Sequence, residues 1–270
     1  MVRFLTILVL AFFSGQAHAD SQLKKFRTVD DSRGWEAVGR LDFAGESFCT
    51  GALITPSLVL TAAHCMYDIK THERHDPSVI TFRAGFRNGH AQAYRNVRRA
   101  IIHPEFSINA ANKKGRLTRD LALIELDRPV RDGTVVPFDV ASSAKSGQQV
   151  GVVSYARYRS QTASLQETCS VLAKQGGVLV TSCDVDFGSS GAPIFSMSNG
   201  RPKIVSVVSA KAQFQGRKVS VGTALEGQLD RLMKLASSER RFFKKVEVEL
   251  PHDLLDEISE ATYVVGKTED

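Results

Sequence analysis

Ser182-Cys183-Asp184-Val185-Asp186-Phe187-Gly188-Ser189-Ser190-Gly191-Ala192-Pro193-Ile194 is the stretch from which the rest of the chain can be read. Its centre sets a serine inside a turn of small residues, where the main chain can approach a substrate closely and take up unusual dihedrals. That is a place for a nucleophile. Gly-Ser-Ser-Gly alone marks many ordinary turns, so the reading depends on partners elsewhere. A serine hydroxyl attacks only when a neighbouring base takes its proton, and the base needs a third group to fix its tautomer. Thr61-Ala62-Ala63-His64-Cys65 offers the base, and Asp120-Leu121-Ala122-Leu123 offers the carboxylate.

Histidine, aspartate and serine thus fall in the order His64, Asp120, Ser190. At these three stretches the chain resembles the trypsin and chymotrypsin family of serine proteases. The Gly188-Ser189-Ser190-Gly191-Ala192-Pro193 form is similar to bacterial secreted members, near the glutamyl endopeptidase branch. A serine hydrolase of the α/β type would need Gly-x-Ser-x-Gly with the histidine last. Ala192 stands where its second glycine belongs.

The resemblance implies an all-β fold of two packed antiparallel β-barrels, with His64 and Asp120 from the first and Ser190 from the second. It also implies an oxyanion hole from the backbone N–H groups of Gly188 and Ser190. Ser209, in Val207-Val208-Ser209-Ala210, matches the family's strand serine that supports the aspartate and lines the substrate path, which the resemblance implies is a substrate-binding position. Cys49 and Cys65 are sixteen residues apart, the separation of the family disulfide that closes the histidine loop, and Cys169 and Cys183 form the remaining pair, within the second barrel.

Short runs rich in β-branched residues agree with this. Trp35 to Phe43, Leu58 to Thr61, Ile80 to Ala84 and Val97 to Ile102 read as strands, and Leu121 to Leu126 as a buried one. Val150 to Val153, Val178 to Thr181 and Ile204 to Val208 follow beyond a connection at Pro129 to Pro137. Asp120 beside an apolar strand would be costly to bury unpaired, and a hydrogen bond to His64 would satisfy it; Asp127 and Asp132 lie after that strand. Leu225, Leu229, Leu232 and Met233 fall at helical spacing and predict a terminal helix packed on the second barrel.

Arg3, an apolar run from Phe4 to Phe13 and Ala17-His18-Ala19 read as a signal peptide, with a mature start at Asp20. The run is too short to span a bilayer, and four cysteines suit an oxidising compartment. The expected organisation is a signal peptide over 1–19, an N-terminal segment and first barrel over 20–128, a second barrel with its helix over 129–236, and a charged extension over 237–270 centred on Arg240-Arg241-Phe242-Phe243-Lys244-Lys245. The chain of 270 residues is 43% hydrophobic and 24% charged, an ordinary globular composition. Its net charge of +6 falls to +5 without the first nineteen residues and is spread along the chain, with no aromatic-basic platform for nucleic acid. His72, His75 and Asp76 sit on a polar loop and are read as solvated, so no metal and no cofactor is expected. The expected partner is a peptide or protein substrate, met by a monomeric, exported serine endopeptidase or by a catalytically silent homologue binding peptides in the same groove.

Two departures from the family pattern stand out. Ser189 occupies the place of the aspartate that, in animal trypsins, pairs with a new N-terminal amine after zymogen cleavage, and Arg27-Thr28-Val29-Asp30 is unlike an Ile-Val-Gly-Gly start. No amine-to-aspartate switch is expected. For specificity, Asp184 lies six residues before Ser190, the offset at which trypsin holds the aspartate that binds Arg or Lys. The histidine of the glutamyl branch is missing beside Ser209, where Ala210 and Lys211 follow, although Lys211 offers a charge to an acidic group.

Overall fold

The structure, a computed structural model, describes residues 20–242 apart from 142–143 and 198–199, with side chains to residue 238. The signal-peptide reading and the extension from 243 onward lie outside the described residues. The chain forms β1 (Lys24–Lys25), α1 (Val29–Ser32), β2 (Val38–Phe43), β3 (Ser47–Thr55), β4 (Leu58–Thr61), β5 (Ile80–Ala84), β6 (Ala93–Ile102), α2 (Lys113–Thr118) and β7 (Ala122–Leu126). Then come β8 (Gln149–Ser154), β9 (Ser164–Gln175), β10 (Val178–Thr181), β11 (Pro193–Ser196), β12 (Lys203–Phe214), β13 (Arg217–Ala224) and α3 (Gln228–Phe242).

The strands close into two antiparallel six-stranded barrels. The first runs β2-β3-β4-β7-β6-β5 and back to β2. The second runs β9-β10-β13-β12-β11-β8 and closes through the β8–β9 pair, with β1 added on the outside of β9. Register shifts at Leu53/Thr55, Val97/Arg99, Val150/Val152 and Val208/Ala210 mark the bulges that bend these sheets into closed walls. β4 and β7 are buried along their whole length, so their near-continuous apolar sequence follows from having packing on both faces. The exception, Glu125, is buried against the guanidinium of Arg99 at 2.6 Å.

The expected strands are present, several of them longer than their apolar runs. β3 and the twelve-residue β9 lacked a clear signal: Glu167, Lys174 and Gln175 interrupt the apolar residues of β9, whose solvent-facing side tolerates them. The strand expected from Trp35, β2, begins at Val38, because Trp35 and Glu36 belong to the turn that leaves α1. α1 itself lies in a segment read only as polar, started by a capping box in which Thr28 and Asp31 satisfy each other's backbone N–H groups.

The terminal helix corrects the expected packing. It lies against β6 and β7 of the first barrel, not on the second. Leu229, Leu232 and Ala236 join the larger core cluster, and Arg99 of β6 donates from Nη2 to the Ala236 carbonyl at 2.8 Å. Arg231 pairs with Glu105, just beyond β6. Periodicity identifies the apolar stripe but not the surface it will cover. The helix also continues to Phe242, so the division at 236 falls inside it. Leu232 is fully buried there, and Leu232→Ala is expected to destabilise the protein by about 2–5 kcal/mol. A lower urea midpoint, with an unchanged dependence on denaturant, is the measurement.

Candidate active site

The site is built where three chain stretches meet between the barrels. β4 ends at Thr61 and the chain turns through a short 3-10 helix, Ala63–Met66, that carries His64. The Cys49–Cys65 disulfide, with Cα atoms 6.3 Å apart, ties this turn to β3. Asp120 lies two residues before β7, the neighbour of β4 in the barrel, and is only 2% exposed. Its carboxylate receives the His64 backbone N–H at 2.8 Å and His64 Nδ1 at 2.7 Å. The Ser209 hydroxyl of β12 donates to the same carboxylate. With Nδ1–H given to Asp120, the neutral ring keeps Nε2 as an acceptor, 4.0 Å from Cys65 Sγ.

His64 feels opposing influences. Burial disfavours the imidazolium, while the charge and hydrogen bond of Asp120 favour it, with Arg116 working against it more weakly; the balance raises the pKa above that of an ordinary histidine. His64, Gly188 and Ser190 line one cleft of ≈ 390 Å³, together with Phe48, Tyr67, Ile69, Arg157 and Phe187.

The loop that holds Ser190 depends on two glycines. Gly188 has φ +94° and Gly191 φ +77°, values that L side chains rarely adopt. A Cβ on Gly188 would strike the Phe48 ring, and one on Gly191 would strike Thr61 Oγ1 and the Thr50 carbonyl. Thr50, which sequence reading passed over, fastens this loop to the first barrel. Its N–H donates to the Ser190 carbonyl at 2.8 Å, and its hydroxyl donates to the Gly188 carbonyl at 2.9 Å while accepting the Tyr155 N–H at 3.1 Å. The only hint in the sequence was its position beside Cys49.

The structure therefore brings His64, Asp120, Ser190, Gly188 and Ser209 together. Asp184 and Lys211 lie on the wall of an adjoining ≈ 420 Å³ cavity, with Asp186 and Lys218. Lys211, on the wall of the second cavity, reaches Asp186 at 2.6 Å and sits 4.0 Å over the ring of Phe187, which lines the cleft. Cys169 and Cys183 are bonded, as the resemblance implied. His72, His75 and Asp76 are engaged separately. His72 meets Asn109 at 2.7 Å, His75 stacks on Phe43, and Asp76 accepts the Ser78 N–H. Asp127 and Asp132 make local contacts with Arg128 and Thr134, away from His64.

The family model for trypsin matches residues 27–228. The chain belongs to the trypsin family. A glutamyl endopeptidase of Bacillus licheniformis is 28% identical over 155 residues, 57% of this chain and 46% of that protein. A trypsin of Phaedon cochleariae is 34% identical over 84 residues, 31% and 29% of the two chains. The chain thus spans less than half the length of the curated relatives it matches. Among solved structures, a Glu endopeptidase in complex with MPD aligns with TM-score 0.65 at 19% identity, covering 82% of this chain and 98% of that one. A thermostable serine protease, AL20, from an extremophilic microorganism aligns with TM-score 0.60 at 19% identity, covering 75% and 97%. These two likenesses concern the fold.

The hydrogen bond between His64 and Asp120 has a direct spectroscopic signature. The imidazole of His64 should titrate by NMR with a midpoint above the ordinary histidine range, and Asp120→Asn should bring that midpoint down, because the charge favouring the imidazolium is gone. An unmoved midpoint would contradict the pairing.

Proposed function

We propose that this chain is an exported serine endopeptidase that cleaves peptide bonds through a His64-Asp120-Ser190 triad and an acyl-enzyme. The observation that carries the reading is the buried Asp120 carboxylate holding His64 by Nδ1 at the edge of the cleft that Ser190 lines. Membership of the trypsin family supports it. In this mechanism His64 Nε2 takes the Ser190 proton as the hydroxyl attacks the substrate carbonyl. It then gives the proton to the departing amine, and the steps repeat with water to release the acid. Asp120 keeps the ring oriented and stabilises the imidazolium. The N–H groups of Gly188 and Ser190 receive the developing oxyanion; losing one such donor costs about a hundredfold to a thousandfold in rate.

The two disulfides fit an oxidising compartment, periplasmic or extracellular. For specificity, Asp184 is the carboxylate we assign to a cationic side chain before the scissile bond. It lies on the cavity next to the cleft, where Asp186 takes up Lys211.

A fluorophosphonate probe should label the protein starting at Asp20, and Ser190→Ala should abolish labelling. A folded, disulfide-bonded protein that resists the probe before and after limited proteolysis would point to a silent homologue. In a panel of fluorogenic peptides differing at the residue before the bond, Arg and Lys should be preferred. Asp184→Ser should lower kcat/KM for them about ten- to a hundredfold. Fast turnover after apolar residues with none after Arg would remove Asp184 from the pocket.

A further inference from the structure

The Phe187–Gly188 peptide raises a question that the triad leaves open: what fixes the direction of the Gly188 N–H? A trans peptide is planar, so its C=O and N–H point opposite ways, and whatever holds the carbonyl aims the amide hydrogen. Here the Phe187 carbonyl accepts the Arg157 N–H at 2.7 Å. Arg157 belongs to a single 3-10 turn, Arg157–Arg159, that follows β8. Such a turn has few internal bonds of its own; Arg159 N–H to the Ala156 carbonyl at 2.8 Å is one of them.

The side chain of Arg159 supplies the rest. Its guanidinium folds back onto β8, donating from Nη1 to the Ser154 carbonyl and from Nη2 to the Ser154 hydroxyl at 3.0 Å. Nη2 also reaches the Ser189 hydroxyl at 3.4 Å. Ser189 is fully buried, and its hydroxyl donates to the Tyr155 carbonyl at 3.1 Å while accepting the Asp186 N–H at 3.3 Å. The same guanidinium therefore grips the turn that holds the Phe187 carbonyl and the serine that precedes Ser190. Burial works against the charge of this guanidinium and lowers its pKa, while Asp184 and Asp186 on the neighbouring loop offset part of that cost.

The N-terminal segment is occupied elsewhere. β1 pairs with β9, Phe26 is 3% exposed with its N–H on the Ala163 carbonyl, and the Arg27 carbonyl accepts from Arg87. These residues are bound in place on the outside of the second barrel. The support at Ser189 comes from within the folded chain.

We propose that Arg159 is the positioning residue of the oxyanion hole. By clamping Ser154 and Ser189 it holds the 157–159 turn against the 186–190 loop, so that the Gly188 N–H points into the cleft without a newly cut N-terminus. This rests on the endopeptidase reading for its consequence in rate, and on the hydrogen bonds above for its geometry.

The test uses full-length mature protein. Arg159→Ala should lower kcat for a peptide substrate by about a hundredfold or more, the loss expected for one oxyanion donor, with KM within about threefold. Affinity for a peptide boronic acid, which forms a tetrahedral adduct, should weaken in parallel. Free guanidinium at millimolar concentration should restore part of kcat, and Arg159→Lys, keeping the stem and charge but not the fork, should fall between. If Arg159→Ala does not fold, Arg159→Lys and Ser189→Ala carry the comparison. A crystal structure of the folded variant should show the Phe187–Gly188 peptide turned so that its N–H leaves the cleft. An unchanged kcat or an unturned peptide overturns the proposal. Wild-type protein without turnover, together with a turned peptide in the variant, would sink the endopeptidase reading and leave the positioning role intact.

Discussion

A carboxylate buried between two barrels must be given hydrogen-bond donors, and Asp120 receives them from both. Removing an ionised group from water costs several kcal/mol unless it is paired. Two donors, the backbone N–H and Nδ1 of His64, come from the turn after β4. The third, the Ser209 hydroxyl, comes from β12 in the second barrel. A shift of one barrel against the other would take away the Ser209 donor and leave the charge with only the two from its own barrel. The requirement that makes Asp120 affordable in the interior also fixes the orientation of the imidazole.

A second set of bonds carries the same relation to the loop of Ser190. Thr50 from β3 holds the Ser190 and Gly188 carbonyls and is itself held by Tyr155. Close approach of the two backbones demands glycine at 188 and 191, since Phe48, Thr61 and Thr50 occupy the space a side chain would need. Arg40 adds a further link between the barrels. It pairs with buried Asp42 at 2.6 Å, lies 4.5 Å over the Phe48 ring and donates to the Ser160 carbonyl at 3.1 Å. Burial pushes the Asp42 carboxyl up, while Arg40 and Arg83 pull it back. The ring that closes on Gly188 is thus itself packed under a guanidinium.

Much of this was legible in the sequence where chemistry or strong patterning left few alternatives. His64, Asp120 and Ser190 were identifiable because nucleophilic catalysis needs those residue types, and the short motifs around them carry the family resemblance. Leu58 to Thr61 and Ile80 to Ala84 were readable as strands because burial on one or both faces imposes apolar patterning. Less legible were β9, whose exposed face admits charge, and the roles of Thr50 and Arg159, ordinary residues whose importance lies in what they touch. Ser189 was visible as a departure, but not the partners that surround its hydroxyl.

By itself, the sequence determined the strand-rich architecture, the chemical identity of the candidate nucleophile, base and carboxylate, and the presence of an apolar helical stripe near the end. Those follow from local periodicity and from the reactivity of individual side chains. Tertiary structure alone decided that α3 covers β6 and β7, that Lys211 is taken up by Asp186, and that Thr50, Arg157 and Arg159 brace the loop of Ser190. Each of these depends on contacts between residues far apart in the chain, and periodicity along one segment holds no information about which distant surface will meet it.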